Sequence, residues 1–181
     1  RYSSTFEISA LAYSGLKQLD KAINVLEEGT QLAPQVWLNW QLLGNLYSDA
    51  NRTNEAIDAY EKALTCPNAV TASIQYNYAI VLERVGKYNE SLEHIRAAGN
   101  IDSPTLKLLS TKLKARLLTN LNKPTEAERL ITESLLEAEK GSDKNILASL
   151  HATHALLKLK GFNSPRDARK LAVKAFSLSR N

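Results

Sequence analysis

The chain has 181 residues, 44% of them hydrophobic and 23% charged, the balance of an ordinary globular protein. No apolar run approaches the roughly 18 residues that span a bilayer, and a single cysteine, Cys66, excludes an intrachain disulfide. The formal net charge of +4 and a pI near 9.1 raise nucleic acid as a partner, a question decided by where the charges fall.

Large and small side chains recur at three- and four-residue intervals, the spacing of amphipathic helices. Phe6, Ala10 and Tyr13 share one helical face, and Ala22, Leu26 and Gly29 share a second, closed by Pro34. The next stretch carries the clearest pattern: Trp40, Leu43, Gly44 and Tyr47, then Ala56, Tyr60 and Ala63, then Pro67. Its Gly44, Ala56 and Ala63 leave room where paired helices approach. A third stretch has Tyr78, Ala79 and Leu82, a turn at Gly86, and Ser91, Ile95 and Ala98 before Pro104. A fourth has Ala115 and Leu118, a turn at Asn122-Lys123-Pro124, then Ala127, Ile131 and Ser134. Its second helix runs long, from Leu130 to Lys140, until Gly141-Ser142-Asp143 breaks it, and Ser142 or Asp143 caps the helix that begins near Lys144. The fifth has Ala155, Leu156 and Leu159, a turn from Gly161 to Pro165, then Ala168, Ala172 and Ala175. Pro124 and Pro165 suit first helical turns, where a missing N–H costs nothing. Ten helices are expected.

The spacing Trp-x2-Leu-Gly-x2-Tyr, then Ala-x3-Tyr-x2-Ala and a proline, resembles the tetratricopeptide repeat, a unit of about 34 residues made of two antiparallel helices. The resemblance is strong in the first three stretches and degenerate in the last two, which lack an aromatic at the position of Trp40. It implies an all-α, right-handed superhelical solenoid of about five helix-turn-helix repeats. Residues 1–181 then form a single array, with approximate repeats at 3–36, 37–71, 72–107, 108–148 and 149–181. Such a unit cannot bury its apolar face alone, so neighbours stack on it. The terminal pair from Ser164 to Asn181, with its alanine seam, is expected to be a weakly held cap. The absence of Met, at residue 1 as elsewhere, leads to the expectation of a piece of a longer protein. Arg1-Tyr2-Ser3-Ser4 runs straight into an amphipathic pattern and does not read as a signal peptide.

In the family, the first helix of each pair lines a concave face that holds a peptide. The resemblance places that face on Glu7, Leu11 and Ser14, on Gln41, Asn45 and Ser48, on Tyr76, Ile80 and Glu83, and on Lys112, Arg116 and Thr119. Six of these are the expected peptide contacts: Gln41 and Asn45 as backbone-directed amides, Tyr76 and Ile80 as an apolar centre, Lys112 and Arg116 as a basic end. One subset of the family grips the terminal carboxylate of chaperone tails with lysine, arginine and asparagine. Here Glu7, Leu11, Leu42, Ser73 and Asn77 stand at those positions, so that mode is excluded on charge.

Residues 1–90 carry 7 basic and 10 acidic side chains, and residues 91–181 carry 16 and 9. The basic residues of the second half are dispersed, alternate with acids such as Glu126, Glu128 and Glu133, and have few aromatics among them. That pattern disfavours nucleic acid and favours an acidic protein segment. No catalytic constellation appears. His151-x2-His154 lacks the His-Glu-x2-His arrangement of zinc hydrolases, and no cysteine pair or acid completes a metal site, so both read, with His94, as partly exposed helix residues. Cys66 reads as a gap filler, and Glu27 and Glu28 as solvated charge. The isolated glycines form no phosphate loop. The expected function is a non-catalytic protein–protein interaction scaffold, without metal or cofactor, that binds a peptide or partner protein in its concave groove. The alternative is a regulatory or substrate-recognition segment of a larger enzyme such as a protein-modifying transferase.

Overall fold

The computed structural model describes residues 3–98, 103–141 and 143–180. Arg1, Tyr2, Ser142 and Asn181, which figure in the expectations above, lie outside the described residues. Among those described are ten α-helices and no strand. They are α1 Ser3–Gly15, α2 Leu19–Leu32, α3 Trp37–Asp49, α4 Thr53–Thr65, α5 Thr71–Arg84, α6 Tyr88–Ala97, α7 Pro104–Asn120, α8 Pro124–Gly141, α9 Lys144–Lys160 and α10 Pro165–Ser179. The chain is an all-α helical repeat array. It divides into two compact units, residues 1–86 with 96–99, and residues 87–95 with 100–181.

The tight turn after each odd-numbered helix uses one left-handed residue: Lys17, Asn51, Gly86, Asn122 and Asn163. After α1, α3 and α7 the hydrogen bonds form the same pair. Lys17, Asn51 and Asn122 donate to Ser14, Ser48 and Thr119, and the next residues, Gln18, Arg52 and Lys123, donate to Tyr13, Tyr47 and Leu118. This is the Schellman closure, which satisfies carbonyls that the helix end would otherwise orphan. Glycine meets the positive φ of +78° at Gly86 without strain, and asparagine tolerates it at three of the other positions.

In the first unit α1 packs on α2, α2 on α3, α3 on α4 and α4 on α5, while α1, α3 and α5 lie side by side. The core gathers Ala10, Leu26, Leu43, Tyr47, Ala56, Tyr60, Ala63, Tyr78 and Leu82, with Phe6, Tyr13 and Trp40 packed at its edge. At Gly44 the α4 side chain Tyr60 leaves no room for a side chain on α3: a Cβ there would meet the Tyr60 ring at 2.8 Å. Three tyrosines bury their rings and keep the hydroxyl bonded. Tyr47 donates to Glu27 Oε1 (2.6 Å), Tyr60 to Asn45 Oδ1 (2.7 Å) and Tyr78 to Glu61 Oε1 (2.9 Å). Burial first, and then the Glu27 contact, push the Tyr47 hydroxyl up to about 12, so it remains a donor. Glu27 is therefore a structural acceptor and not merely solvated charge. The tyrosine that needs it lies 20 positions away, beyond the reach of local pattern.

In the second unit α7 packs on α8, α8 on α9, α9 on both α7 and α10. Ser103 accepts from the Leu106 N–H and Pro104 opens α7, so this helix starts inside the interval 72–107. Asp143 accepts from Asn145 and Ile146, so α9 starts inside 108–148. Leu156 and Leu159 do not form the fifth seam: they are 58% and 47% exposed. Leu150 and Leu157 are buried in their place, because the half of α9 that faces its neighbours also carries Ala148, His151 and Ala155. On α10, Ala168 and Ala175 are buried and Ala172 is exposed. His151, expected to be partly exposed, is 5% exposed; burial pushes its pKa down, and the charge of Lys174 adds to the effect.

Candidate functional site

Four of the six residues expected to contact a peptide, Asn45, Ile80, Lys112 and Arg116, line two clefts, one in each unit. The first has a volume of about 290 Å³ and is lined by Asn45, Ser48 and Asp49 of α3, Tyr60 of α4, and Asn77, Ile80 and Arg84 of α5. Helical spacing explains the membership: Asn45 and Ser48 are one turn apart on α3, as Asn77 and Ile80 are on α5. A hydrogen-bond network sets the floor. Asn45 Oδ1 accepts from Tyr60 Oη at 2.7 Å and from Asn77 Nδ2 at 3.0 Å. Both lone pairs of that oxygen are then engaged, and Asn45 has its Nδ2 donors left to offer. Asn77, having donated, keeps its own carbonyl as an acceptor. Burial raises the Tyr60 pKa, the Asp49 carboxylate raises it further, and the hydroxyl stays protonated as the donor that orients Asn45. Arg84 braces the rim by donating from Nη1 to Ser48 Oγ (2.8 Å) and to its carbonyl (3.2 Å).

The second cleft, of about 110 Å³, lies between α7 and α9 and includes Lys112, Arg116 and Thr119 with Thr153, Leu156 and Lys160. Lys112 Nζ donates to Ser149 Oγ at 3.0 Å, which fixes the ammonium at the rim.

The structure thus brings Asn45 together with Ile80, and Lys112 together with Arg116. Gln41 departs from expectation: it is buried, and its Nε2 donates to Ser73 Oγ at 3.3 Å because α5 packs over that part of α3. Tyr76 is half-buried on α5 and does not line the first cleft. Sequence reasoning missed Asn77, Arg84, Lys160 and Leu156 as site residues. Asn77 carried a signal, since it stands 32 residues after Asn45 and Ser73 stands 32 after Gln41, a little under one repeat length, the offset at which two side-by-side first helices touch here. Leu156 and Lys160 were hidden by the misplaced seam on α9. Among the described residues, no group of three or more histidine, cysteine or acidic side chains is arranged to hold a metal ion.

Residues 6–36 and 39–65 match the model of the tetratricopeptide repeat family. These two segments, both in the first unit, are tetratricopeptide repeats. The chain is similar to the peroxisomal targeting signal receptor of Candida glabrata, 34% identical over 82 residues, and to that of Saccharomyces cerevisiae, 34% identical over 77. These matches cover 45% and 42% of this chain but 14% and 12% of the relatives' own lengths. Among solved structures it is similar to PilW, a widely conserved type IV pilus biogenesis factor, with a TM-score of 0.82 and 18% identity over 100% of this chain and 79% of that one. It is also similar to YrrB, a TPR protein with an unusual peptide-binding site, with a TM-score of 0.66 and 18% identity over 95% of this chain and 84% of that one. At these identities the structural likeness speaks for the fold alone. No helix among the described residues is long and apolar enough to cross a membrane.

Proposed function

We propose that this tetratricopeptide-repeat chain is a non-catalytic binding module that holds a peptide segment of a partner protein. The observation that carries the reading is the Asn45–Asn77 pair on adjacent first helices, oriented by the buried Tyr60 hydroxyl. Donor hydrogens on one amide beside an acceptor on the other match the C=O and N–H of an extended peptide backbone. Ile80 supplies the apolar contact next to them, and Gln41 holds Ser73 of the neighbouring first helix. Lys112 and Arg116, on the second unit, are the contacts for an acidic part of the partner. The naming of the fungal relatives as targeting-signal receptors, and of YrrB for its peptide-binding site, supports a peptide as the ligand class.

The test is selection of peptides from a random displayed library on the whole chain, followed by calorimetric titration of an enriched peptide. Asn77→Ala should weaken binding about tenfold, the cost of roughly one hydrogen bond in a desolvated contact. Asn45→Ala should weaken it further, with helicity intact by circular dichroism. Wild-type affinity in both variants overturns this site, and failure to enrich any peptide overturns the function.

A further inference from the structure

Among the described helices α10 packs on α9 alone, and its opposite face is open. Positive charge gathers on this last pair. Residues 144–181 carry 8 lysines and arginines and 1 acid, Asp167, whereas residues 1–143 carry 15 basic and 18 acidic side chains. Apolar side chains stand among the cations of the open face. Val173 and Phe176 are 62% and 61% exposed, and Val173 lines a broad cleft of about 640 Å³ with Arg166 and Arg169.

The preceding pair shows what such a face receives. Pro124 opens α8 and Pro165 opens α10, so positions 41 apart correspond, and Ala127 and Ala168 are both buried. On α8, Glu128, Ile131, Leu135 and Glu139 recur at helical intervals and share one face. That face meets α9. Glu128 accepts from His154 Nε2 (3.2 Å) and pairs with Lys158 Nζ (2.5 Å), Glu139 acts on His151, and Ile131 and Leu135 are buried. The corresponding residues of α10 are Arg169, Ala172, Phe176 and Arg180, all exposed. The apolar centre is kept, and both acids have become arginine. We propose that this face of α10 docks an amphipathic helix of a partner protein, seated as α9 is on α8 but with carboxylates where α9 carries His151, His154 and Lys158. The site is separate from the peptide clefts described above and does not depend on them.

Charge and shape favour this occupant. The one acid of α10 lies off the stripe: Asp167 accepts from Ser164 Oγ (2.9 Å) and stands 4.0 Å from Lys170, so it does not oppose a carboxylate arriving at Arg169. The planar guanidinium of Arg169 can give two parallel N–H bonds to one carboxylate. Arg180 lies over the Phe176 ring, 5.2 Å from its centroid, which holds a second cation beside the apolar centre. A basic helix such as α9 would be repelled. A second copy of this chain fits poorly, because α1, with Ile8 and Leu11 exposed, brings Glu7 as its one acid. Nucleic acid lacks a platform, since Phe176 is the single aromatic ring of α10.

The experiment uses fluorescent helical peptides, lactam-bridged on the outer side, and fluorescence anisotropy with the whole chain. The acidic probe is the α9 sequence, residues 144–160, carrying His151→Glu, His154→Glu and Lys158→Glu. Its twin carries glutamine at the same three positions, and a third probe is the unmodified α9 sequence. The acidic probe should bind at least about tenfold tighter than the glutamine twin, the worth of one charge-assisted hydrogen bond. That preference should collapse as salt rises from about 0.05 M to about 0.5 M. In the protein, Arg169→Gln should remove most of the preference, and Phe176→Ser should weaken both probes. Arg169→Glu should invert the order, so that the unmodified probe with its Lys158 binds the tighter. Arg129→Gln, which removes a charge from α8 away from this face, should change nothing.

Absence of binding by the acidic probe overturns the proposal, as does equal binding of the acidic and glutamine probes. Displacement of the acidic probe by vesicles of phosphatidylcholine and phosphatidylserine, or by a single-stranded oligonucleotide, assigns the face to a lipid surface or a nucleic acid and overturns it too. A dimer of the chain that forms with rising concentration and is dissolved by Phe176→Ser assigns the face to a second copy, with the same result.

Discussion

The two units fold the same helix pair by different means. The first is held by tyrosines that span neighbouring helices, each with its hydroxyl bonded, and the Tyr60 and Tyr78 rings stack with centroids 5.8 Å apart. The second buries no tyrosine among its described residues; it packs Leu113, Leu117, Ile131, Leu150 and Leu157 with alanines between them, and buries polar groups among them. Ser110 Oγ and the Nδ1 atoms of His151 and His154 are buried there without a hydrogen-bond partner, against Asn39 Oδ1 in the first unit. Beside them Glu128 accepts from His154 Nε2 at 3.2 Å and pairs with Lys158 at 2.5 Å. The comparison teaches that helix-pair geometry needs a seam of alternating size, and that aromatic and aliphatic residues meet this need with different sensitivities.

The largest way to break the contrast is Tyr60→Ala. It removes a ring that is 1% exposed together with the donor that orients Asn45, and it should cost about 3–5 kcal/mol. Hydrogen exchange resolved by segment should show protection lost across α3 to α5. Loss confined to α7–α10 would contradict the tyrosine-based account of the first unit.

Gly44→Leu attacks the same seam from the other side. The new side chain would begin at 2.8 Å from the Tyr60 ring, and the strain should lower stability by about 1–3 kcal/mol in a chemical denaturation experiment. An unchanged midpoint would mean that α3 and α4 can separate without loss.

Acid should distinguish the units more gently. His151 of α9 is buried near Lys174 of α10 and His154, with Glu139 of α8 as the one opposing charge, and its pKa lies below the ordinary 6.5. A lowered folded pKa means that the unfolded chain binds more protons in that window, so stability present above about 6.5 is lost as pH falls through the folded value. Exchange protection in α9 and α10 should drop between about pH 7 and pH 5 while α3 and α4 change less. His151→Leu should remove that difference. The Glu128 carboxyl, held low first by Lys158, contributes a separate loss only at more acidic pH, as the carboxylate is protonated. Equal acid sensitivity in both units would sink this prediction.

The smallest effect is at Lys17, where a lysine holds φ at +59° in a turn that asparagine or glycine fills elsewhere. Lys17→Gly relieves about 1–2 kcal/mol of left-handed strain but adds unfolded-state freedom worth about 0.5–1 kcal/mol. The net gain should be under about 1 kcal/mol, seen as a small rise in the denaturation midpoint.

The sequence by itself determined the helical periodicity, the ten-helix order and the tetratricopeptide character. Those are written in local spacing: Trp40 to Tyr47, Ala56 to Ala63, and the turn residues Gly86 and Asn122. Local spacing says which residues share a face but not how much of that face a neighbour covers. Gln41 therefore reads as a groove residue, yet α5 buries it and Ser73 engages it. Leu156 and Leu159 read as seam because leucine is apolar, yet the buried half of α9 is the other one, where His151 sits. Only the tertiary structure decided that Asn77 completes the Asn45 network and that Lys160 faces Lys112 and Arg116. These partners are tens of residues apart in the chain, and their pairing is set by the stacking of whole helices, which a one-dimensional pattern does not encode.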